Sequence, residues 1–314
     1  MNPNKKLILR AFVSVILVLL LLKQISLKDV VLNIRGANFL ILFVISSFFI
    51  NYFFSAYRWR ELIVYKTKKK VGILYLLKLY YIGSFLSNFL PSTIGGDVYK
   101  AYKLGKDTGN MAGAVTATFM ERLIGVVSLS IISSVSLVWF WGFRGAVVFI
   151  AFWALILAGF LGLWFVSKFS KKLKNFYENI LFYKSNKKAL FKALLYSFFV
   201  QGGSVFAHYF TARSLDINLS LPFSFSAFPV IGFISFLPIS ISGLGVQDNI
   251  YVFVFSKIGV LAGLAASASV LFHILRAFNS LIGWALLSFD KEFKDSLSLD
   301  FKSESVVKIE TVGK

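Results

Sequence analysis

Long apolar runs separated by short basic links dominate the chain. Runs at residues 7–22, 39–56, 111–140, 147–166, 189–212 and 261–288 contain few or no charges. Most are long enough, as helices, to cross about 30 Å of hydrocarbon. The pattern predicts an all-α polytopic membrane protein with about six full spans, because a helix satisfies its backbone hydrogen bonds within lipid.

Two further apolar segments, 72–104 and 223–255, are each interrupted by helix-breaking residues. The breaks share proline, two glycines and an aspartate: Pro91, Gly95, Gly96 and Asp97 in the first, and Pro238, Gly243, Gly245 and Asp248 in the second. Broken helix at membrane depth is tolerated where it is buried in protein or lines a watery cavity. We predict two re-entrant helical hairpins; two ordinary spans kinked by proline are the alternative.

The distribution of basic residues predicts the orientation. Residues 58–70 hold six Lys or Arg against one Glu, and residues 168–192 hold eight Lys against one Glu. The positive-inside rule places both links in the cytoplasm, together with both termini. The link 141–144 then faces outward, as does 23–35 despite its three basic residues. The prediction is a multi-pass inner-membrane protein whose two hairpins enter from opposite faces.

The order of these segments predicts an internal repeat. Residues 1–142 and 143–288 each contain two spans, one interrupted segment and a third span, and a short polar cytoplasmic tail follows at 289–314. Three crossings in each half would make the repeats inverted. Interrupted segments in corresponding positions of two halves indicate the central site of a transporter.

Composition excludes several functions. The net charge of +20 lies mostly in the links, where it faces anionic headgroups, so no nucleic-acid partner is expected. The absence of Cys excludes disulfides and thiolate sites, and two His cannot form a His-rich zinc site. We expect neither a metal nor a cofactor.

Charged residues inside the spans are the candidate site. Glu121, Arg122 and Arg276 lie deep in apolar runs, where each charge costs at least ~2.5–3.5 kcal/mol on insertion scales. With Asp97 and Asp248 they are expected to converge on one cavity, although both aspartates could act only as helix caps. Arginine grips phosphate bidentately, and the aromatic content of 18%, rich in Phe, suits lipid chains. An anionic lipid headgroup fits this chemistry.

Three motifs resemble those of the lysylphosphatidylglycerol synthase transmembrane-region family. They are Asn88-Phe-Leu-Pro-Ser-Thr-Ile-Gly-Gly-Asp97-Val-Tyr-Lys100, Glu121-Arg122-x-x-Gly125, and Pro238-x-Ser-x-x-Gly243-Leu-Gly-Val-Gln247-Asp248, preceded by Arg58-Trp-Arg60. The resemblance covers about residues 7–287 and implies a flippase-like domain. It adds Lys100 and Gln247 to the candidate lipid-binding residues and Asn88 to the first turn. Lys100 replaces an Arg that relatives often carry, and Asp248 replaces a common Glu.

The expected function is movement of an anionic or carrier lipid between leaflets: a phospholipid, an aminoacyl-phospholipid or an isoprenyl-phosphate-linked lipid. Two-domain members of the family carry a cytoplasmic domain that aminoacylates phosphatidylglycerol, for which residues 289–314 are too short. We therefore do not expect an enzyme. Two alternatives stay open: an intramembrane lipid-modifying enzyme using Glu121, and a membrane partner of an envelope-biosynthesis enzyme. Homo-oligomerisation also stays open.

Overall fold

The computed structural model describes residues 16–17, 19–23, 25–67, 71–89, 95–236 and 244–289. Most of the predicted first span, the tail from residue 290, and the turn residues Pro91, Pro238 and Gly243 lie outside them. All regular elements in the described part are helical. They are α1 (Leu27–Arg35), α2 (Ile41–Thr67), α3 (Ile73–Phe89), α4 (Gly95–Thr108), α5 (Met111–Ser167), α6 (Lys171–Leu181), a 3₁₀ turn (Phe182–Ser185), α7 (Lys187–Ser214), α8 (Leu221–Phe236), α9 (Val246–Ser256) and α10 (Ala262–Ser288).

Four helical segments of the described chain are long and apolar enough to cross a membrane: Ile41–Ile63, Met111–Ser134, Lys187–Ser214 and Ala262–Ser288. Leu157–Ser167 and Leu221–Gly232 are shorter apolar helices. The prediction of an all-α polytopic membrane protein is confirmed. The interrupted segments form the helix pairs α3–α4 and α8–α9, so each break predicted from proline and glycine separates two helices.

Short polar side chains fix where several helices begin. The Asn110 side chain accepts a hydrogen bond from the Gly113 backbone N–H at 2.8 Å, and Asn186 accepts one from Ala189 at 3.1 Å. Each bond satisfies a donor in the first turn that has no partner within its helix. These caps set the starts of α5 and α7.

Helix α5 is interrupted at Gly142, whose φ of 54° and ψ of −131° are not helical. A positive φ carries little cost at glycine, which lacks the Cβ that clashes in this conformation. The interruption falls inside the predicted link 141–144. It separates the apolar runs 111–140 and 147–166, as the sequence indicated.

The first basic link begins later than its charge pattern suggested. Helix α2 continues to Thr67, and Arg58 lies within it with only 7% of its surface exposed. Arg58 is therefore part of the protein interior rather than of a headgroup-facing link. The remaining basic residues of 58–70 still follow the apolar run.

Packing between elements interleaves the two parts of the chain. Helix α2 packs along α7, α3 packs on α10, and α8 packs on α5. The second helix of each interrupted pair contacts the span that follows it, α4 on α5 and α9 on α10. The first helix of the first pair thus contacts α10, the last span of the other half, and the second helix of each pair contacts the span that follows it.

Two hydrophobic cores flank this arrangement. One contains Trp59, Leu62, Leu76, Leu104 and Tyr183, from the first half and the 3₁₀ turn. The other is built mainly from α7 to α10, around Phe228, Tyr251 and Phe255. Polar and charged side chains lie between the two cores.

Candidate functional site

A cavity of about 500 Å³ lies between the two cores. Residues from α2, α3, α4, α5, α7, α8, α9 and α10 line it. Among the described residues, its charged lining consists of four cations and two carboxylates: Arg58, Lys100, Arg122, Arg276, Asp97 and Glu121. Most of the candidate charges therefore converge on one space that is reached by both interrupted helix pairs.

Glu121 is the most heavily paired acid of the cavity and is only 4% exposed. Its Oε1 lies 2.6 Å from Arg58 Nη2 and also accepts a hydrogen bond from the Tyr80 hydroxyl. Its Oε2 lies 3.5 Å from Lys100 Nζ. A carboxylate in lipid-embedded protein is tolerable when it is paired and hydrogen-bonded in this way.

Asp97 connects the start of α4 to α5. Its carboxylate lies 3.0 Å from Lys100 Nζ and accepts a hydrogen bond from Arg122 Nε. The Asp97 and Arg122 side chains are 18% and 28% exposed, whereas Lys100 and Glu121 are each 5% exposed. Asp97 and Arg122 are thus the ion pair that a bound molecule would reach first.

Aromatic rings position Lys100 in this group. Its Nζ lies 3.8 Å from the centroid of the Tyr80 ring and 5.1 Å from that of Trp59. Cation–π attraction of this kind contributes more when the cation is desolvated. Lys100 is held between two carboxylates and two rings.

A different polar array joins α9, the second helix of the second interrupted pair, to α10. The carboxylate of Asp248 accepts a hydrogen bond from the Gly245 backbone N–H at 2.8 Å and therefore caps α9. Its other oxygen lies 3.3 Å from His273 Nε2, and His273 Nδ1 lies 3.1 Å from Arg276 Nη2. Arg276 lines the cavity, whereas Asp248 and His273 are not among its described lining residues.

His208 forms part of the cavity wall within an aromatic cluster. Its ring stacks on Phe272 with centroids 3.8 Å apart and on Phe228 at 4.9 Å. Nδ1 shares a hydrogen bond with the Tyr251 hydroxyl. His208 is thus packed and hydrogen-bonded by neutral groups.

Uncharged hydrogen bonds hold the helices together around the cavity. Tyr52 and Ser84 join α2 to α3 through hydroxyls 2.5 Å apart. Asn88 Nδ2 donates to Ser280 Oγ at 2.8 Å, and Gln201 Nε2 donates to the Gly125 carbonyl at 3.1 Å. These bonds join α3 to α10 and α7 to α5.

The candidate residues from the sequence fall into three groups. Asp97, Lys100, Glu121, Arg122, Gln247, Arg276 and Asn88 line the cavity. Gly95 and Gly96 start α4, Gly245 precedes α9, and Asp248 lies behind the lining. Asp248 was expected at the cavity; it caps its helix, contacts His273 and is not among the described lining residues. Pro91, Pro238 and Gly243 lie outside the described residues.

Sequence reasoning missed Arg58 and Tyr80 as partners of Glu121. Arg58 carried a signal, because a buried acid needs a cation and Arg58 lies at the end of an apolar run. Tyr80 carried none, since a tyrosine in an apolar segment is usually part of a packed core. Within the described residues, no group of three or more His, Asp or Glu side chains could hold a metal ion.

Comparison with known proteins agrees with this architecture. The model of a family described as the lysylphosphatidylglycerol synthase TM region matches residues 7–283. A UPF0104 membrane protein of Methanocaldococcus jannaschii is 25% identical over 222 residues, which are 65% of this chain and 92% of the relative.

Proposed function

The chain belongs to the lysylphosphatidylglycerol synthase TM-region family, and from this premise we propose that it moves an anionic or carrier lipid between the leaflets of the membrane. The phosphate-bearing headgroup occupies the central cavity, and the hydrocarbon chains remain in or beside the bilayer. Phospholipids, aminoacyl-phospholipids and isoprenyl-phosphate-linked lipids all present the required phosphate.

The excess of cations in the cavity is the observation that carries the proposal. Among the described lining residues, four cations face two carboxylates. Because Asp248 behind the wall is linked to Arg276 through His273, one positive charge is left for a bound anion to balance. Arg122 and Arg276 offer guanidinium groups suited to phosphate oxygens. Because buried charges need partners, an anionic headgroup complements this cavity better than a neutral one does.

The size and the uncharged walls of the cavity fit a lipid. Ligand cavities typically span roughly 300–1,000 Å³, and this one measures about 500 Å³. Apolar side chains cover part of its wall: Phe48, Val126, Leu129, Val200, Val205, Phe228 and Phe272. These side chains provide an apolar surface beside the charged one, as an amphipathic lipid requires.

Exchange between leaflets needs a cavity that opens alternately, and the interleaved packing supports such a movement. We propose that residues 1–142 and 143–288 form inverted repeats whose helix pairs α3–α4 and α8–α9 are re-entrant from opposite faces. The contact of α3 with α10 joins the two halves, as expected when they interlock about a pseudo-two-fold axis. Rocking of one half against the other then exposes the cavity to each side.

The orientation remains part of the proposal. By the positive-inside rule, the basic links support a cytoplasmic location for both termini and the α6 region, in a cell with an inner membrane. We also propose transport without catalysis. Glu121 is engaged by Arg58, Tyr80 and Lys100, and Asp97 by Lys100 and Arg122, which leaves neither carboxylate placed as a ready general base.

A leaflet-exchange assay in liposomes tests the function. Fluorescent phosphatidylglycerol, an aminoacyl-phosphatidylglycerol and an isoprenyl phosphate are each followed with the wild-type protein, Arg122→Gln and Arg276→Gln. Losing a hydrogen bond to a charged group costs about 1.5–3 kcal/mol. The exchange rate is therefore expected to fall by about tenfold to a hundredfold in each variant.

Arg213→Gln is the matched control. Arg213 lies in the last turn of α7 and donates a hydrogen bond to Asn218 at 2.6 Å, away from the cavity lining. Its exchange rate should equal that of the wild type. Wild-type protein that moves none of the lipids faster than protein-free liposomes would refute the proposal.

A further inference from the structure

The array Asp248–His273–Arg276 fixes the proton arrangement of His273. Arginine has only donor groups, so Nδ1 of His273, 3.1 Å from Arg276 Nη2, must be the acceptor. The proton of the neutral ring then lies on Nε2, which faces Asp248 Oδ1 at 3.3 Å. The Asp248 carboxylate is therefore balanced by Arg276 across a neutral imidazole.

The surroundings of this array contain few other ionisable groups. Of the described residues, those that interact with His273 or Arg276 are Asp248 and Tyr251 on α9, His208 on α7 and Tyr52 on α2. His208 is bonded to the Tyr251 hydroxyl and Tyr52 to Ser84. With His208 neutral, Asp248 and Arg276 are the two members of this group that carry a full charge at neutral pH, since tyrosine is uncharged there.

We propose that His273 takes up one proton when an anionic lipid engages Arg276, so that lipid transport is coupled to proton movement. This inference rests on the proposed function. A phosphate oxygen that accepts the Arg276 donor removes the hydrogen bond to Nδ1. A proton from the aqueous side then forms an N–H bond at Nδ1, and the imidazolium pairs with Asp248.

Charge balance favours this exchange of partners. Before binding, Asp248 and Arg276 carry opposite charges with a neutral His273 between them. An anion that engages Arg276 takes away the charge that balanced Asp248, and burying an uncompensated charge is costly. Protonation of His273 gives two ion pairs instead: His273 with Asp248, and Arg276 with the lipid phosphate.

The first half of the protein offers no comparable proton acceptor. There the carboxylates of Asp97 and Glu121 contact Lys100, Arg122 and Arg58 without an intervening histidine. Histidine is the side chain whose unperturbed titration lies nearest neutral pH. The cluster around Asp97 and Glu121 thus supplies fixed cations, and the array of Asp248, His273 and Arg276 supplies the proton site.

Coupling has a defined consequence for transport. Lipid and proton occupy the cavity together, so they cross the membrane in the same direction, and a proton gradient drives lipid movement. For one coupled proton, lipid affinity rises by at most about tenfold for each unit by which pH falls. A zwitterionic lipid brings no net charge and is not coupled.

Nitrogen NMR of ¹⁵N-histidine-labelled protein tests the inference directly, because the chain contains only His208 and His273. The full chain is placed in phosphatidylcholine nanodiscs, with or without phosphatidylglycerol, and His273→Gln assigns the signals. Without phosphatidylglycerol, His273 should be neutral with its proton on Nε2. With phosphatidylglycerol, both ring nitrogens should be protonated, while His208 remains unchanged.

Variants of Arg276 test the same coupling without any anionic lipid. Arg276→Gln removes the charge that balances Asp248, so His273 should be protonated at neutral pH in phosphatidylcholine alone. Arg276→Lys retains the charge and should keep His273 neutral. Protonation of His273 in the unliganded wild type, or an Nδ1–H tautomer there, would overturn the inference.

The leaflet-exchange assay separates the two proposals. Phosphatidylglycerol exchange without any change at His273 overturns the proton coupling and leaves the transport function intact. Exchange together with His273 protonation supports both. Absence of exchange for every anionic lipid overturns the transport function, and the coupling falls with it.

Discussion

Glu121 shows how a single buried acid organises the cavity. It contacts Arg58 on α2, Tyr80 on α3 and Lys100 on α4 from its own position on α5. Four helices therefore depend on one carboxylate. The Arg58 and Lys100 side chains are only 8% and 5% exposed. If Glu121 were removed, water could not take the place of its carboxylate beside either cation.

Glu121→Gln should destabilise the protein strongly. Removal of one partner from a buried ion pair costs about 3–5 kcal/mol, because the remaining charge stays buried without compensation. Unfolding in a denaturing detergent, followed by far-UV circular dichroism, measures the loss. The double variant Arg58→Gln/Glu121→Gln should recover part of the stability, since it removes both charges.

Glu61→Gln is the control, because it breaks an ion pair that is more exposed to solvent than that of Glu121. Glu61 pairs with Lys192 at 3.3 Å, with side chains 28% and 42% exposed. Exposed pairs contribute roughly 0–1 kcal/mol, so this variant should unfold almost as the wild type does. Equal stability losses for Glu61→Gln and Glu121→Gln would contradict the role assigned to Glu121.

At the scale of elements, two glycines let helices approach to backbone contact. A Cβ atom on Gly96 would lie 1.9 Å from the Gly83 carbonyl oxygen, and one on Gly283 would lie 2.0 Å from that of Tyr81. The first contact joins α3 to α4, and the second joins α3 to α10. Small residues allow such close helix packing in membranes, where dispersion contacts replace the hydrophobic effect between helices.

Gly283→Ala should separate α3 from α10 and weaken the fold. The added methyl group would collide with backbone atoms rather than with a flexible side chain, and overpacking typically costs about 1–3 kcal/mol. Gly263→Ala in the same helix meets no atom within 4 Å and should be neutral or stabilise by up to about 1 kcal/mol through helix propensity. Unfolding of both variants in a denaturing detergent measures their stability. A Gly283→Ala protein as stable as the Gly263→Ala protein would refute the close contact.

The sequence predicted elements better than it predicted their partners. Proline and glycine located both interrupted segments, and the short link 141–144 located the break at Gly142. The packing of α3 on α10 and of α8 on α5 could not be predicted. Hydropathy reports that a helix is buried in lipid or protein, but it does not specify which helix covers it.

The candidate site shows the same division. Glu121, Arg122 and Arg276 were recognisable because a charged side chain inside an apolar span is costly and usually has a functional role. Arg58 was assigned to a basic link because it is followed by further basic residues, although the helix continues past it. Asp248 was placed in the cavity because its break resembles the first, whereas it caps α9 and lies 3.3 Å from His273.

At the scale of the whole molecule, the proposed transport depends on two helix pairs that enter the membrane from opposite faces. If α3–α4 is re-entrant from the cytoplasm, the chain after α4 returns to the cytoplasmic side. If α8–α9 is re-entrant from outside, the chain after α9 returns to the outer side. Two proline-kinked full spans would reverse both locations, so the positions of Lys106 and Ser256 distinguish the models.

Single cysteines report these positions cleanly because the native chain has none. Lys106, Ser256, Ser185 and Ser220 are all exposed. With a membrane-impermeant maleimide on intact cells, Ser256→Cys and Ser220→Cys should be labelled, whereas Lys106→Cys and Ser185→Cys should react only after permeabilisation. Ser185 and Ser220 flank the two ends of α7 and serve as the cytoplasmic and outer reference positions. Labelling of Lys106→Cys from outside would make α3–α4 a full crossing, and the halves would then not be inverted repeats that rock about a common cavity.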